Sequence, residues 1–174
     1  MKKQIILISL FMMALSLLFP QGLKIAYLDT DRIMEESQAT IDAQKIFTAE
    51  REQWERQLQE IDSEIEQMKS QYEARKLTLT ESGKAQAQER IDAKVQERRR
   101  FLESIFGETG KAMQRNAELL EPIMVKLKDS IDRIARENDY AIIFDAVGGG
   151  ILYAKPNLDI TDLIIEDLNR ETGN

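Results

Sequence analysis

The sequence contains neither cysteine nor histidine, and each absence removes a class of chemistry. Without cysteine the chain forms no disulfide and offers no thiol to an oxidising compartment. The lack of a cysteine after the N-terminal apolar run also excludes a lipoprotein anchor. Histidine is the usual general base and the commonest neutral metal ligand. We therefore expect no catalytic residue, no metal site and no cofactor, and we do not expect an enzyme.

The first 22 residues have the form of a secretory signal peptide. The basic start MKK precedes sixteen mostly apolar or small residues, QIILISLFMMALSLLF, and then PQG. This run is short for a membrane span, which needs about 20 apolar residues. We expect cleavage after Gly22 and export to the periplasm, and an uncleaved N-terminal anchor is the alternative.

The chain that remains, residues 23–174, is acidic. It carries 22 basic and 31 acidic side chains, a formal net charge of −9. Such a chain is not a general nucleic-acid binder, because that binding depends on Lys and Arg neutralising phosphates. Its 152 residues are enough for one domain.

Three short runs have the composition of β-strands. LKIAYLDT (residues 23–30) alternates apolar and polar residues, and the runs YAIIFDAV (140–147) and ILYA (151–154) flank three consecutive glycines. Two strand-like runs joined by such a short glycine segment predict a β-hairpin.

The last segment, NLDITDLIIEDLNRE, predicts a short helix. Asp159 or Thr161 would cap its N-terminus, and Leu163, Ile164 and Leu168 would share one face.

About 110 residues between the first two strands carry a helical pattern instead. Their apolar residues are spaced as the a and d positions of a heptad repeat. In the first half these are Phe47, Trp54, Leu58, Ile61, Ile65, Met68 and Tyr72, and in the second half they are Ile91, Val95, Leu102 and Ile105. Arg51 and Arg98 occupy two seam positions, so the seam is imperfect.

The stretch LTLTESG, residues 77–83, interrupts this pattern and predicts the tip of an antiparallel helical hairpin. If the chain folds back at Thr80, residues equally distant from Thr80 face each other. This mirror register pairs apolar with apolar residues: Ile65 with Val95, Leu58 with Leu102, Trp54 with Phe106, and Phe47 with Met113. Gly83 and the β-branched threonines would break the helix, and Ser82 would cap the returning one.

Three residues interrupt the returning helix. Gly107 and Gly110 lie near the root of the arm, where they predict either a hinge or close packing against the outgoing helix. Pro122 predicts the start of a new helical segment, which Asn138 and Asp139 would end.

Two motifs invite a chemical interpretation. Asp29, Asp31 and Asp145 lie at strand ends, where carboxylates can act in acid–base chemistry or hold Mg²⁺. Nothing nucleophilic accompanies them, so they are interpreted as turn and cap residues. The glycine triplet at 148–150 runs from strand to strand, whereas a phosphate loop runs from strand to helix, so we interpret it as a turn.

The outer half of the arm is the basic part of an acidic chain. Residues 69–100 hold nine basic and five acidic side chains. The mirror register places Arg98, Arg99 and Arg100 opposite acidic residues at 60–64, so these charges are expected to pair. For weak contacts to a bound partner we predict six residues near the tip: Tyr72, Arg75, Lys76, Leu77, Leu79 and Lys84.

Taken together, the sequence resembles the Skp/OmpH family of periplasmic chaperones over nearly all of residues 23–174. The matching features are the signal peptide, KIAYLDTDRIM, LTLTES near the tip, EPIMVKLKDSIDRIARENDYAIIFDA and ILYAKPNLDITDLIIEDL. The order NDYAIIFD, LYA, DIT is the most specific part.

The resemblance implies an α+β fold in a jellyfish-like homotrimer. Residues 23–46 and 114–174 would form the trimeric body, and 47–113 the coiled-coil arm. An ATP-independent holdase would keep unfolded outer-membrane β-barrel proteins in the cavity between three arms. The best-known members are basic, so contact with lipopolysaccharide or anionic membranes is not carried over to this acidic chain.

The strands would build the shared body, because three short strands and one small helix bury little apolar surface in one copy. The body residues would be Ile25, Tyr27, Ile142, Phe144, Ile151 and Tyr153. The alternative function is an envelope scaffold or adaptor whose arms bind one folded partner.

Overall fold

The computed structural model describes residues 22–172, and the expected signal peptide at 1–22 lies almost entirely outside them. The chain is mostly helical, with a small pair of strands. The order is β1 (Ile25–Leu28), α1 (Thr30–Glu36), α2 (Gln38–Arg75), α3 (Glu81–Phe106), α4 (Lys111–Glu137), β2 (Ile142–Asp145), a short 3-10 turn (Pro156–Leu158) and α5 (Thr161–Thr172). Within the described residues, none of the helices combines the length and apolar character needed to cross a bilayer.

Helices α2 and α3 form the antiparallel arm that the seam predicted. The rings of Trp54 and Phe106 meet edge to face with centroids 6.4 Å apart. Arg98 forms an ion pair with Asp62, which is equally distant from Thr80. The mirror register is therefore confirmed from the Trp54–Phe106 contact near the root to the Asp62–Arg98 pair midway along the arm. The buried seam residues of the arm are Ile65, Ile91 and Ile105.

Other predicted arm contacts differ. The partner of Glu64 is Lys94, at 2.6 Å. Arg99 and Arg100 are exposed and make no ion pair with any described residue. Met113, the predicted partner of Phe47, is 61 % exposed, since the mirror register does not continue past the end of α3.

The tip of the arm is capped differently from the prediction. The helix breaks between α2 and α3 at residues 76–80. Thr80 is the N-cap of α3, and its hydroxyl oxygen accepts a hydrogen bond from the Gly83 amide at 3.1 Å. Ser82 is not the cap, and Gly83 lies in the first turn of α3 rather than breaking the helix. A threonine cap satisfies an amide that has no partner within the helix, which explains why α3 begins here.

The returning helical part of the arm is interrupted at two glycines near the root, between α3 and α4. Gly107 is the C-cap of α3, and its amide donates to the Glu103 carbonyl at 3.0 Å. Gly110 is the N-cap of α4. Pro122 lies inside α4, so the prediction that it starts a new segment was wrong. Its ring removes one backbone hydrogen bond on an exposed part of the helix, while Ile123 beside it is buried and holds the helix in place.

The strands pair in parallel, with the arm and α4 between them in sequence. Ile25 is in register with Ile142, and Tyr27 with Phe144. On its other side β1 makes a single bridge, from Tyr27 to Asp159. The predicted hairpin is not formed: residues 151–154 are no strand, because the turn after β2, with Gly149 at φ 73°, leads the chain away from the β2 edge.

The core lies between one face of this sheet and helices α1, α4 and α5. It contains Ala26, Leu28, Ile33, Leu127, Ile134, Ile160, Ile164, Ile165 and Leu168. The Asp159 carboxylate accepts a hydrogen bond from the Thr161 amide at 2.9 Å and so satisfies the first amide of α5, although Ile160 is the residue immediately before the helix. Ile164 and Leu168 are buried as expected, but Leu163 is 37 % exposed and Ile165 takes its place.

Candidate interaction surfaces

The outer face of the sheet is apolar and uncovered in the single chain. Strand β1 alternates: Ala26 and Leu28 point into the core, which leaves Ile25 and Tyr27 on the opposite face. The parallel register adds Ile142 and Phe144 beside them. Ile25, Ile142 and Phe144 are 39 %, 45 % and 46 % exposed. Exposed apolar residues grouped in this way are typical of surfaces that bind another protein.

The chain after β2 extends this face into a groove of about 690 Å³, here called the body groove. Its walls include Leu152 and Tyr153, which are 99 % and 83 % exposed. Its lining consists of Ile25, Ala26, Tyr27, Phe144, Asp145, Gly150, Ile151, Leu152, Tyr153, Ala154 and Leu158. Five of the six predicted body residues line it, and the sixth, Ile142, lies on the same face. Leu152 and Leu158 were missed, although Leu152 lies in the strand-like run 151–154 and Leu158 in the segment that predicts the last helix.

Tyr27 connects the body groove to the start of α5. Partial burial, followed by the neighbouring Asp159 carboxylate, raises the pKa of the Tyr27 hydroxyl above its ordinary 10.0. The hydroxyl is therefore neutral at physiological pH and donates its hydrogen bond to the Asp159 carboxylate.

The carboxylates at the strand ends fasten the sheet to its helices. Asp29 accepts from the Arg32 amide at 3.0 Å and caps α1. Asp145 accepts from the Thr30 hydroxyl and from the Val147 amide at 3.1 Å. Burial opposes the charge of Asp145, but these hydrogen bonds outweigh it and lower its pKa. The interpretation of Asp29 and Asp145 as cap and turn residues is confirmed, while Asp31 is exposed in the first turn of α1.

A buried carboxylate fastens the C-terminal helix. Asp167 is 6 % exposed and accepts a hydrogen bond from the buried Ser130 hydroxyl at 2.6 Å. It also forms ion pairs with Arg133 and Arg170. Burial disfavours its charged form, but the hydrogen bonds and the nearby guanidinium groups outweigh this and lower the pKa of Asp167. Across residues 22–172 no group of three or more carboxylates is placed to hold a metal ion.

The six predicted client contacts do not form one site. Tyr72, Arg75 and Leu79 line a groove between α2 and α3 near the tip. Lys76 pairs with Glu73 at 3.3 Å and also lies 5.7 Å from the centre of the Tyr72 ring. Leu77 is 98 % exposed at the turn, and Lys84 pairs with Glu81 at 2.7 Å. Arg90 lines the same groove and was missed, because the prediction stopped short of it along α3.

The two glycines at the root of the arm are tightly enclosed by backbone. A Cβ atom on Gly107 would lie 2.4 Å from the Glu103 carbonyl oxygen, and one on Gly110 would lie 2.5 Å from the Ile105 carbonyl oxygen. The packing hypothesis named the outgoing helix as the neighbour, but the nearest atoms belong to the end of α3 and to the turn itself. The break is thus a compact turn that only glycine fits. Its action as a hinge stays a prediction.

The sequence profile of one protein family matches residues 24–168, nearly the whole of the described chain. That family is OmpH, outer membrane protein (OmpH-like). The chain belongs to the OmpH-like family. The family resemblance and the α+β fold with a long helical arm are therefore confirmed, and assembly into three copies stays a prediction.

A solved structure has the same fold as this OmpH-like chain. It is a candidate outer membrane chaperone (OmpH-like) from Caulobacter crescentus CB15, with a TM-score of 0.78 and 16 % sequence identity, and the match covers 88 % of each chain. At this identity the likeness concerns the fold alone. No curated protein sequence is significantly similar to this chain.

Proposed function

We propose that this OmpH-like chain is an ATP-independent periplasmic holdase for unfolded outer-membrane proteins. The family membership supports a chaperone role, and the sequence before Leu23 supports export. Holding an unfolded chain needs a sheltered volume and many weak contacts. It does not need a catalytic residue, and we propose no enzymatic activity.

The observation that carries the proposal is the uncovered body groove together with the outer sheet face. In one copy this surface leaves Leu152 and Tyr153 almost wholly in water. Burying apolar area is worth about 25 cal/mol per Å², so a further copy that covers these side chains gains stability. We propose that three copies close around this face, with Ile25, Tyr27, Ile142, Phe144, Ile151 and Tyr153 in the shared body.

The arm then projects from this body. Helix α3 has 26 residues and spans about 39 Å at 1.5 Å per residue. Its core is narrow and its outer surface is highly charged, so a long arm adds more surface than it buries. Three such arms around one body enclose a volume in which a client is held without nucleotide.

The direct test is dilution of a urea-denatured outer-membrane β-barrel protein into buffer that contains the mature chain, residues 23–174, and no ATP. We expect light scattering from aggregates to be suppressed at about one client per three chains. Unsuppressed scattering would refute the holdase. Tight binding to one folded envelope protein in its place would favour the scaffold or adaptor.

A further inference from the structure

The groove between α2 and α3 near the tip of the arm, here called the tip groove, has the composition of a binding site. Its volume is about 350 Å³, which lies within the range of about 300–1,000 Å³ found for small-ligand sites. It is lined by Met68, Gln71, Tyr72, Arg75, Leu79, Gly83, Gln86, Ala87, Arg90 and Ile91.

The polar part of the tip groove is built twice, once on each helix. Gln71 and Arg75 are four residues apart on α2, and Gln86 and Arg90 are four residues apart on α3. Residues at this spacing share one helix face. The helices are antiparallel, and Gln86 and Gln71 lie one residue from the positions that the mirror register places opposite Arg75 and Arg90. All four side chains line the groove, so each arginine lies near a glutamine of the other helix.

Between residues 51 and 98, the two arginines of the tip groove differ from the other basic side chains. Nine basic side chains lie between residues 51 and 98. Seven of them form ion pairs, namely Arg51, Arg56, Lys69, Lys76, Lys84, Lys94 and Arg98. Arg75 and Arg90 form none with any described residue. On residues 51–98, the two basic side chains that have no carboxylate as an ion-pair partner thus line the same groove.

The base of the tip groove is apolar. Ile91 is buried, and Met68, Tyr72 and Leu79 are half-buried. A methionine beside an aromatic ring gives an adaptable wall that accepts side chains of different shape. The groove therefore combines two free guanidinium groups, two amides and an apolar base.

We propose that the tip groove binds the free C-terminal carboxylate of an unfolded polypeptide whose last residue is apolar or aromatic. A guanidinium group matches a planar carboxylate with two parallel hydrogen bonds. The apolar base receives the last side chain. Gln71 and Gln86 each donate and accept, as the backbone amides of a peptide require.

Two observations favour a peptide over an anionic lipid surface. A fully ionised phosphate group only accepts hydrogen bonds, so it can use the amide N–H groups of the two glutamines but not their carbonyl oxygens, whereas a peptide backbone can use both. The mature chain also carries a net charge of −9, which opposes its approach to an anionic membrane. The inference rests on the proposed function in one respect only, that the polypeptide is an unfolded client.

The test uses the mature chain and a short fluorescent peptide that ends in phenylalanine with a free carboxylate. The same peptide with an amidated C-terminus is the ligand control. We expect the amide to bind at least about tenfold more weakly by fluorescence anisotropy, as expected for loss of a charge-assisted hydrogen-bonded pair. The double variant Arg75→Gln with Arg90→Gln should bind both peptides equally weakly.

The matched protein control is Arg99→Gln with Arg100→Gln, which removes two exposed, unpaired charges of α3 outside the groove. It should keep the preference for the carboxylate, and helix content by circular dichroism should match in all variants. Equal binding of the two peptides to the wild type would overturn the proposal, as would equal loss in both double variants. Arg75- and Arg90-dependent binding to phosphatidylglycerol vesicles without the peptide preference would overturn it in favour of a lipid site.

The two proposals fail separately. A chain that suppresses barrel aggregation but does not distinguish the peptides refutes only the carboxylate site. A chain that distinguishes the peptides but does not suppress aggregation supports the site and refutes the holdase.

Discussion

Replacing Gly107 and Gly110 with alanine tests whether the root of the arm is the compact turn that the structure contains. In a helix interior, glycine to alanine stabilises by about 1 kcal/mol, so two such changes would raise stability if these glycines only weakened a helix. Here each new Cβ would lie within 2.5 Å of a backbone carbonyl oxygen, closer than the 3.0 Å that real Cβ atoms keep. Backbone must therefore move.

The expected cost is that of overpacking, about 1–3 kcal/mol at each site. Alanine restricts the unfolded chain and offsets about 0.4–1 kcal/mol of this at each site. We expect a net loss of about 2 kcal/mol for the double variant. That loss lowers Tm by about 4–8 °C for a chain of this size. Thermal unfolding followed by circular dichroism at one fixed chain concentration measures it.

Gly148→Ala is the matched control, because a Cβ there has no atom within 4 Å and the change should leave Tm nearly unaltered. A double variant as stable as the wild type, or more stable, would refute the compact turn. A separate measurement, the spread of distances between the tips of the arms, tests whether this turn acts as a hinge. The chain has no cysteine, so Leu77→Cys carries a single spin label on each copy. A narrow distance distribution would rule out the hinge.

Three further predictions use other parts of the fold. Ile142→Asp should dissociate the assembly in sedimentation at micromolar concentration, because it places a charge in the shared body. Met113→Asp should not, because Met113 belongs to the arm and is 61 % exposed in one chain, against 45 % for Ile142. Equal sedimentation of both variants would contradict the shared body. Asp167→Asn should cost about 1–3 kcal/mol in urea unfolding at neutral pH. The folded-state pKa of Asp167 is lowered from 3.8, so the stability that its carboxylate contributes is present above about pH 4 and is lost as pH falls through the folded-state pKa. The unfolding free energies of wild type and variant should therefore converge at low pH. A difference between them that does not change with pH would contradict this. Client affinity should fall between 0.1 M and 1 M salt, as the Debye length drops from ~10 Å to ~3 Å, and an unchanged affinity would remove charge from the account of client holding.

The pairing of the two arm helices was predictable because it follows from one continuous stretch of sequence. One seam on each helix and a single interruption fix which residues face each other, as the contacts of Trp54 with Phe106 and of Arg98 with Asp62 confirm. The end of α4 was predictable for a similar reason. Asn138 is its C-cap, and Asp139 adopts the left-handed conformation at φ 58° that short polar residues tolerate at helix ends.

The predictions failed where tertiary packing, or the choice of which strands pair, decides the local structure. Pro122 was expected to begin a helix, but burial of neighbouring Ile123 and Leu127 carries the helix through it. The runs at 140–147 and 151–154 are both strand-like, yet composition does not say which runs pair. Strand β2 pairs with β1, far away in sequence, rather than with the segment that follows it. The tip groove was seen only in part, because its cavity depends on two helices while the prediction followed one stretch of sequence.

Native mass spectrometry of the mature chain mixed with an unfolded outer-membrane β-barrel protein tests the central claim most directly. The account predicts a complex of three chains and one client, formed without nucleotide and lost with Ile142→Asp. A folded single chain that binds no client, or a complex formed only with a folded partner, would contradict it.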